Sequence, residues 1–94
     1  MALARVVTFD GVSSQRMDEM REQMEGSEQP EGVPASEIIV LHDPEEEKAV
    51  VILFFETEDD YNQGDAALNA MPTEDTPGKR ASVKRHVVAS RMTP

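Results

Sequence analysis

The side chains best suited to chemistry in this chain of 94 residues are two histidines, one tyrosine and an arginine near the C-terminal end. His42 and His86 supply the only imidazoles, which act as bases near neutral pH or as metal ligands. A protein metal site usually needs three or four ligands, and too few accompany either histidine. Within one chain they fall on opposite edge strands of the predicted sheet, whereas a pair across a dimer stays open. We therefore interpret both as histidines of strand edges or turns, and we expect no metal.

Tyr61 offers a phenol that could donate a hydrogen bond to a ligand carbonyl or stabilise a phenolate-like intermediate. Alternatively, its ring belongs to the core and its hydroxyl lies at the rim. Gly64 follows three residues later, so both residues share one face of a predicted helix. A glycine inside a helix costs about 1 kcal/mol relative to alanine. Gly64 therefore serves either close packing on a sheet or an open space for a ligand, and the sequence leaves both alternatives open.

The walls of such a pocket would come from apolar residues of the neighbouring elements. Met17 and Met20 recur at helical spacing, together with Met24, and this pattern is also typical of a plain core face. The predicted ligand-pocket residues are Tyr61, Gly64, Met17, Met20, Phe54, Phe55 and Leu68. The polar candidates are His42, His86 and Arg85, and the catalytic residues remain unknown.

The charges are distributed unevenly along the chain. Five of the nine basic residues lie from Lys79 onward, whereas acidic runs occupy residues 43–47 and 56–60. Lys84 and Arg85 could bind an anionic ligand, or they could lie on a solvated edge strand and complement acidic groups, with each exposed pair contributing less than about 1 kcal/mol.

The elements that must position these side chains are organised around residues 50–55, the longest apolar run, which we predict to be a strand buried on both faces. Strands are also predicted over residues 5–10, 37–41 and 82–92. One helix is predicted from the cap Ser13 to about Glu25, and another from the cap Thr57 to Pro72. The loops cover residues 27–35 and 73–79.

The resulting order, β-α-β-β-α-β, predicts an α+β ferredoxin-like fold with one domain over residues 1–94. It implies a four-stranded antiparallel sheet of order 4-1-3-2 with both helices on one face. Strands 2 and 3 carry apolar residues on both faces, so one apolar face is left without a helix. Because such patches are unusual on monomers, we expect a homodimer.

The composition excludes several classes of partner. The formal net charge is -10, which argues against binding to nucleic acid or to an anionic membrane surface. The absence of cysteine excludes disulfides, thiolate catalysis and cysteine-ligated metals. The N-terminal residues lack the features of a signal peptide, so a cytoplasmic location is expected.

The chain resembles the dimeric α/β barrel superfamily, and within it the antibiotic-biosynthesis-monooxygenase-like branch. The resemblance is carried by residues 50–55 followed by residues 57–61, and by residues 77–83 leading into the last strand. It implies a homodimer with sheet packed against sheet and a small apolar ligand. If the protein is an enzyme, the resemblance implies oxidation of an apolar aromatic substrate by oxygen without a cofactor. A non-catalytic dimeric interaction or regulatory module is the alternative. Tryptophan, which marks the active sites of several relatives, is absent here.

Overall fold

The computed structural model describes residues 2–25, 32–70 and 77–92. These residues form a four-stranded antiparallel sheet of order β2-β3-β1-β4, so β1 and β3 are the central strands. The ferredoxin-like prediction, including its strand order, is confirmed. The elements are β1 (Leu3–Asp10), α1 (Ser14–Glu25), β2 (Glu37–Asp43), β3 (Lys48–Phe55), α2 (Glu58–Asn69) and β4 (Lys79–Val87).

The helices begin at the predicted caps. The Ser13 hydroxyl accepts a hydrogen bond from the amide of Arg16 at 3.1 Å, and the Thr57 hydroxyl accepts one from the amide of Asp60 at 3.1 Å. Each bond satisfies an amide that has no partner within its helix. Helix α1 ends at Glu25, as predicted. The predicted end of the second helix at Pro72 lies outside the described residues, as do residues 27–31 and 73–76 of the predicted loops.

The last strand differs most from its prediction, since it covers Lys79–Val87 instead of residues 82–92. Val87 is paired with Leu3, the first residue of β1, so the neighbouring strand ends there. Beyond this point the chain bends across the end of the sheet. Arg91 forms an ion pair with Glu37 on the far edge strand, and its guanidinium lies 4.5 Å from the centre of the Phe54 ring.

Both helices pack on the same face of the sheet, which we call the helix side. Two clusters of buried side chains lie there. One is formed by Leu3, Val33, Ala35, Leu53, Phe55 and Tyr61, and Leu68 packs against it. The other is formed by Val7, Phe9, Val12 and Ala49, and Met17 packs against it. Helix α1 has no fully buried residue, and Met24 is 43% exposed. Met24 is therefore not a core residue in this chain, whereas Met17 and Met20 are half-buried.

The opposite face of the sheet, which we call the open face, carries an apolar row across three strands. Val6 is paired with Ile52, and Ile52 with Ile39. Ile39 is 37% exposed and Leu41 on the same strand is 53% exposed. The apolar residues of the open face are Ala4, Val6, Ile39, Leu41, Val50, Ile52 and Phe54. None of the helices in the described ranges is long and apolar enough to cross a membrane.

Candidate functional site

The structure divides the predicted pocket residues between separate places. The rings of Phe55 and Tyr61 meet edge to face with centres 5.4 Å apart, and Leu68 packs against the same cluster. Met17 belongs to the second cluster, and Met20 lies half-buried on α1. Phe54 points to the open face, because successive strand residues alternate between faces and Phe55 lies on the helix side.

Gly64 is a site of close packing between α2 and β3. A Cβ atom at this position would lie 2.5 Å from Cε1 and 2.7 Å from Cζ of Phe55, and 3.6 Å from Cγ1 of Val33. The first two distances are shorter than any normal contact between carbon atoms. The ring of Phe55 therefore fills the volume that the glycine provides, which supports the packing interpretation of Gly64 over an open space.

The two histidines lie on opposite edges and opposite faces of the sheet. His42 is on β2, on the helix side, where its Nε2 donates a hydrogen bond to the carbonyl of Val12 at 2.9 Å. His86 is exposed on β4, opposite Ala4 on the open face. His42 therefore binds the backbone just after β1. Within one chain the two imidazoles are too far apart to bind the same metal ion or small molecule. Residues 2–25, 32–70 and 77–92 contain no group of three His, Asp or Glu that could hold a metal ion.

The most unusual polar residue is Arg5, which the sequence reasoning missed. It lies on the helix side of β1 and is only 2% exposed. Its Nε donates to Oδ1 of Asp65 at 2.8 Å, and its Nη2 donates to Oδ1 of Asn69 at 3.0 Å. A signal was available, because Arg5 stands at an alternate position between the apolar residues Leu3 and Val7. A charge at such a position points into the core and needs a partner there.

A β-bulge brings a second arginine to the same amide. The pairing of β1 with β4 shifts between Thr8 and Phe9, so Arg80 is paired with Phe9. A regular register would have placed Arg80 opposite Asp10, on the open face. Instead it lies on the helix side, and its Nη1 donates to Oδ1 of Asn69 at 2.9 Å.

Tyr61 lies beneath a third arginine. The guanidinium carbon of Arg85 is 5.0 Å from the centre of the Tyr61 ring, and its Nη2 is 3.5 Å from Oε1 of Glu58. Burial of the phenol raises the pKa of Tyr61 above 10.0, and the charge of Asp65 raises it further, whereas Arg5 and Arg85 oppose the shift. The phenol therefore stays protonated at neutral pH and is a hydrogen-bond donor. Among the described residues its hydroxyl has no hydrogen-bond partner.

Arg5, Arg80 and Arg85 together form what we call the arginine cluster, which faces α2 from the two strands β1 and β4. Tyr61, Asp65 and Asn69 follow one another at intervals of four residues, so they form the facing stripe of α2. This arrangement can donate hydrogen bonds and stabilise negative charge on a ligand. In the described part of the chain, two carboxylates already contact the cluster: Asp65 is bonded to Arg5 at 2.8 Å and Glu58 lies 3.5 Å from Arg85.

Comparison with known proteins shows similarity at the level of the fold. A crystal structure of a protein provisionally named an antibiotic biosynthesis monooxygenase, from Chloroflexus aurantiacus J-10-fl, superposes with a TM-score of 0.61 and 11% sequence identity. The alignment covers 99% of this chain and 98% of that chain. No family model matches the sequence, and no curated protein matches it significantly. The resemblance to monooxygenase-like proteins is therefore confirmed for the architecture that the two chains share.

Proposed function

We propose that this protein is a homodimer that binds a small aromatic molecule on the helix side of its sheet, beside Tyr61. The observation that carries this proposal is the state of Tyr61. Its ring is buried against Phe55, while its hydroxyl has no partner among the described residues. A phenol that is kept protonated and that has no protein acceptor among the described residues is suited to donate to a ligand oxygen.

The neighbouring groups fit a ligand with an apolar body and a polar edge. Phe55 and Leu68 offer apolar surface, and Arg85 places a positive charge over the phenol. Negative charge that develops on a ligand oxygen would be stabilised by Tyr61 and Arg85 together. This is the requirement of an oxygenation that proceeds through an enolate or phenolate of the substrate. Oxidation of an aromatic substrate by oxygen, without a bound cofactor, is the reaction that we propose.

The second candidate is a non-catalytic dimeric interaction or regulatory module. The packing at Gly64 favours this second candidate, because the ring of Phe55 occupies the volume beside Gly64 in which a ligand could have bound. In that case Tyr61 would be a core residue with its hydroxyl at the rim. The two candidates share the homodimer, and they differ in whether α2 leaves room for a ligand beside Tyr61.

The open face supports the homodimer. It presents an apolar row across β1, β3 and β2, and exposed apolar patches of this kind usually mark an interface. A second copy related by a two-fold axis would cover the row with an identical row. The cytoplasmic location inferred from the sequence remains part of this proposal and is tested by cell fractionation.

The deciding experiment measures oxygen consumption with a dihydroxynaphthalene. Its conversion into a hydroxynaphthoquinone and water takes up one molecule of oxygen and needs no external reductant. We expect protein-dependent oxygen uptake in the wild type and a large loss in Tyr61→Phe, which keeps the ring and removes the donor. Asn62→Ala, an exposed change on the same helix, is the matched control. Tight binding without oxygen uptake would support a binding protein, and the absence of both would leave the non-catalytic module as the better candidate.

A further inference from the structure

Two arginines from different strands converge on a single neutral oxygen. Oδ1 of Asn69 accepts hydrogen bonds from Nη2 of Arg5 at 3.0 Å and from Nη1 of Arg80 at 2.9 Å. Two guanidinium groups usually share an acceptor that carries a negative charge, such as a carboxylate. An amide oxygen satisfies their geometry without neutralising their charge.

The charges around Asn69 are unbalanced. Asp65 forms the ion pair of Arg5, and Arg80 has no ion pair within the described part of the chain. Within the described residues, two guanidinium groups and one carboxylate leave one positive charge beside Asn69, although the whole chain carries a formal net charge of -10. Both Asn69 and Arg80 are exposed, so a ligand can reach them from solvent.

Part of this arrangement has a structural explanation. Asn69 is the last residue of α2, and the last turn of this helix contains no basic residue of its own. Positive charges near a helix C-terminus interact favourably with the helix dipole. Arg5 already supplies such a charge and is tied to Asp65. Arg80 is a second charge, and it is on the helix side only because of the bulge in β4.

We propose that Arg80, together with Arg5 and Asn69, binds the carboxylate of a small monoanion. One negative charge would match the single positive charge that the described residues leave without a counter-charge. A planar carboxylate also suits the paired donors of a guanidinium group. This inference rests on the proposed function, because it assigns the charged end of the same ligand.

The spacing along α2 indicates the shape of that ligand. Tyr61 and Asn69 are eight residues apart on one stripe of the helix, which corresponds to about 12 Å along the axis. A ligand that contacts both residues needs an elongated apolar body of about two aromatic rings. An aromatic carboxylate of two fused rings is therefore the class of ligand that the site should take.

The test compares naphthoate with naphthamide, its neutral analogue of nearly the same shape, by isothermal titration calorimetry. We expect the wild type to bind naphthoate at least about tenfold more tightly than naphthamide, as hydrogen bonds to charged groups predict. Arg80→Gln should remove most of this preference, because it weakens the binding of naphthoate far more than the binding of naphthamide. Lys84→Gln, which removes the same charge from the open face of the same strand, should retain the preference. The melting temperature of each variant verifies that it is folded.

Three results would contradict the carboxylate site alone, and a fourth would contradict the proposed function with it. Equal affinity of the wild type for both ligands would overturn it, while the proposed binding beside Tyr61 would stand. If Arg80→Gln and Lys84→Gln lose the preference for naphthoate equally, the preference comes from the net charge of the protein surface and not from a site at Arg80. Inorganic phosphate that displaces naphthoate at equal concentration would show that the site does not select a carboxylate. If neither aromatic ligand binds, the inference and the proposed function fail together.

Discussion

Arg5 and Arg85 stand directly opposite each other on β1 and β4, with both side chains on the helix side of the sheet. Like charges at directly opposite positions normally destabilise a pair of strands. The pair is accommodated because the two guanidinium groups reach different acidic residues of α2, which are Asp65 for Arg5 and Glu58 for Arg85. The sheet is thus connected to α2 at two points, one from the central strand β1 through the buried Arg5 and one from the edge strand β4 through the exposed Arg85.

The buried connection should contribute much more to stability than an exposed ion pair. Asp65→Asn leaves the guanidinium of Arg5 buried without its counter-charge, so we expect the free energy of unfolding to fall by about 1.5–3 kcal/mol. Asp18→Asn on α1, which breaks the exposed pair with Arg21, should cost less than about 1 kcal/mol. Urea denaturation of both variants measures the difference. Equal losses would mean that the pairing of Arg5 contributes little.

Any side chain at position 64 should destabilise the protein as long as the Phe55 ring stays in its present position. At an exposed helix position a change from glycine to alanine usually stabilises by about 1 kcal/mol. Here the new methyl group would overlap the Phe55 ring, and overpacking typically costs about 1–3 kcal/mol. We therefore expect Gly64→Ala to lower the melting temperature, by roughly 4–8 °C for each kcal/mol lost.

A second substitution separates overlap from other effects at Gly64. Phe55→Leu removes the ring atoms that the methyl group would meet. Combined with Gly64→Ala, it should lose less stability than the sum of the two single changes, because the two sites are in contact. Purely additive losses would show that the ring of Phe55 is not what limits position 64. An unchanged melting temperature for Gly64→Ala alone would restore the interpretation of an open space.

Tyr61 should make the stability of the protein depend on pH in the alkaline range. Its pKa is raised by burial above the value of 10.0, so the folded state holds the phenolic proton more tightly than the unfolded state does. This contribution is fully present below pH 10 and is lost as the pH rises through the higher pKa of the folded state. Wild type should therefore lose more stability than Tyr61→Phe as the pH is raised above 10.

The titration of Tyr61 can be followed directly. The chain contains one tyrosine and no tryptophan, so the near-ultraviolet absorbance of phenolate reports this residue alone. We expect a midpoint above pH 10 in the folded protein and a midpoint near 10 in urea. A folded midpoint at or below the midpoint in urea would mean that the arginine cluster lowers the pKa of Tyr61 by more than burial of the phenol raises it.

The sequence predicted the parts of the fold that depend on local patterns. The caps Ser13 and Thr57 and the apolar run that became β3 follow from residue types and spacing, and the strand order follows from the sequence of elements. Arg5 was predictable in principle from its place between Leu3 and Val7.

The position of Arg80 could not be predicted in the same way. Its face depends on one bulge in the pairing of β1 with β4, and nothing in the residues themselves marks where that bulge lies. The division of Met17 and Phe55 between two core clusters was equally hidden, because it depends on how each helix crosses the sheet.

The open face should determine the oligomeric state. Ile52 lies at its centre, paired with Val6 on one side and Ile39 on the other. Light scattering at micromolar concentration should give about twice the chain mass of 10.4 kDa for the wild type. Ile52→Lys should give a monomer, since it would place a charge on each side of a two-fold interface. A compact monomeric wild type would contradict the homodimer.

Two variants test whether the loss of the dimer is specific to this face. Gln63→Lys introduces the same charge at an exposed position of α2 and should remain dimeric. Leu41→Lys lies on the open face near its edge, where the side chain is 53% exposed, and should weaken the dimer less than Ile52→Lys. A long side chain at the rim of an interface can keep its charge in water, whereas one at the centre cannot. If Leu41→Lys and Gln63→Lys are both fully dimeric while Ile52→Lys unfolds, Ile52 is important for the core of one chain and the interface must lie elsewhere.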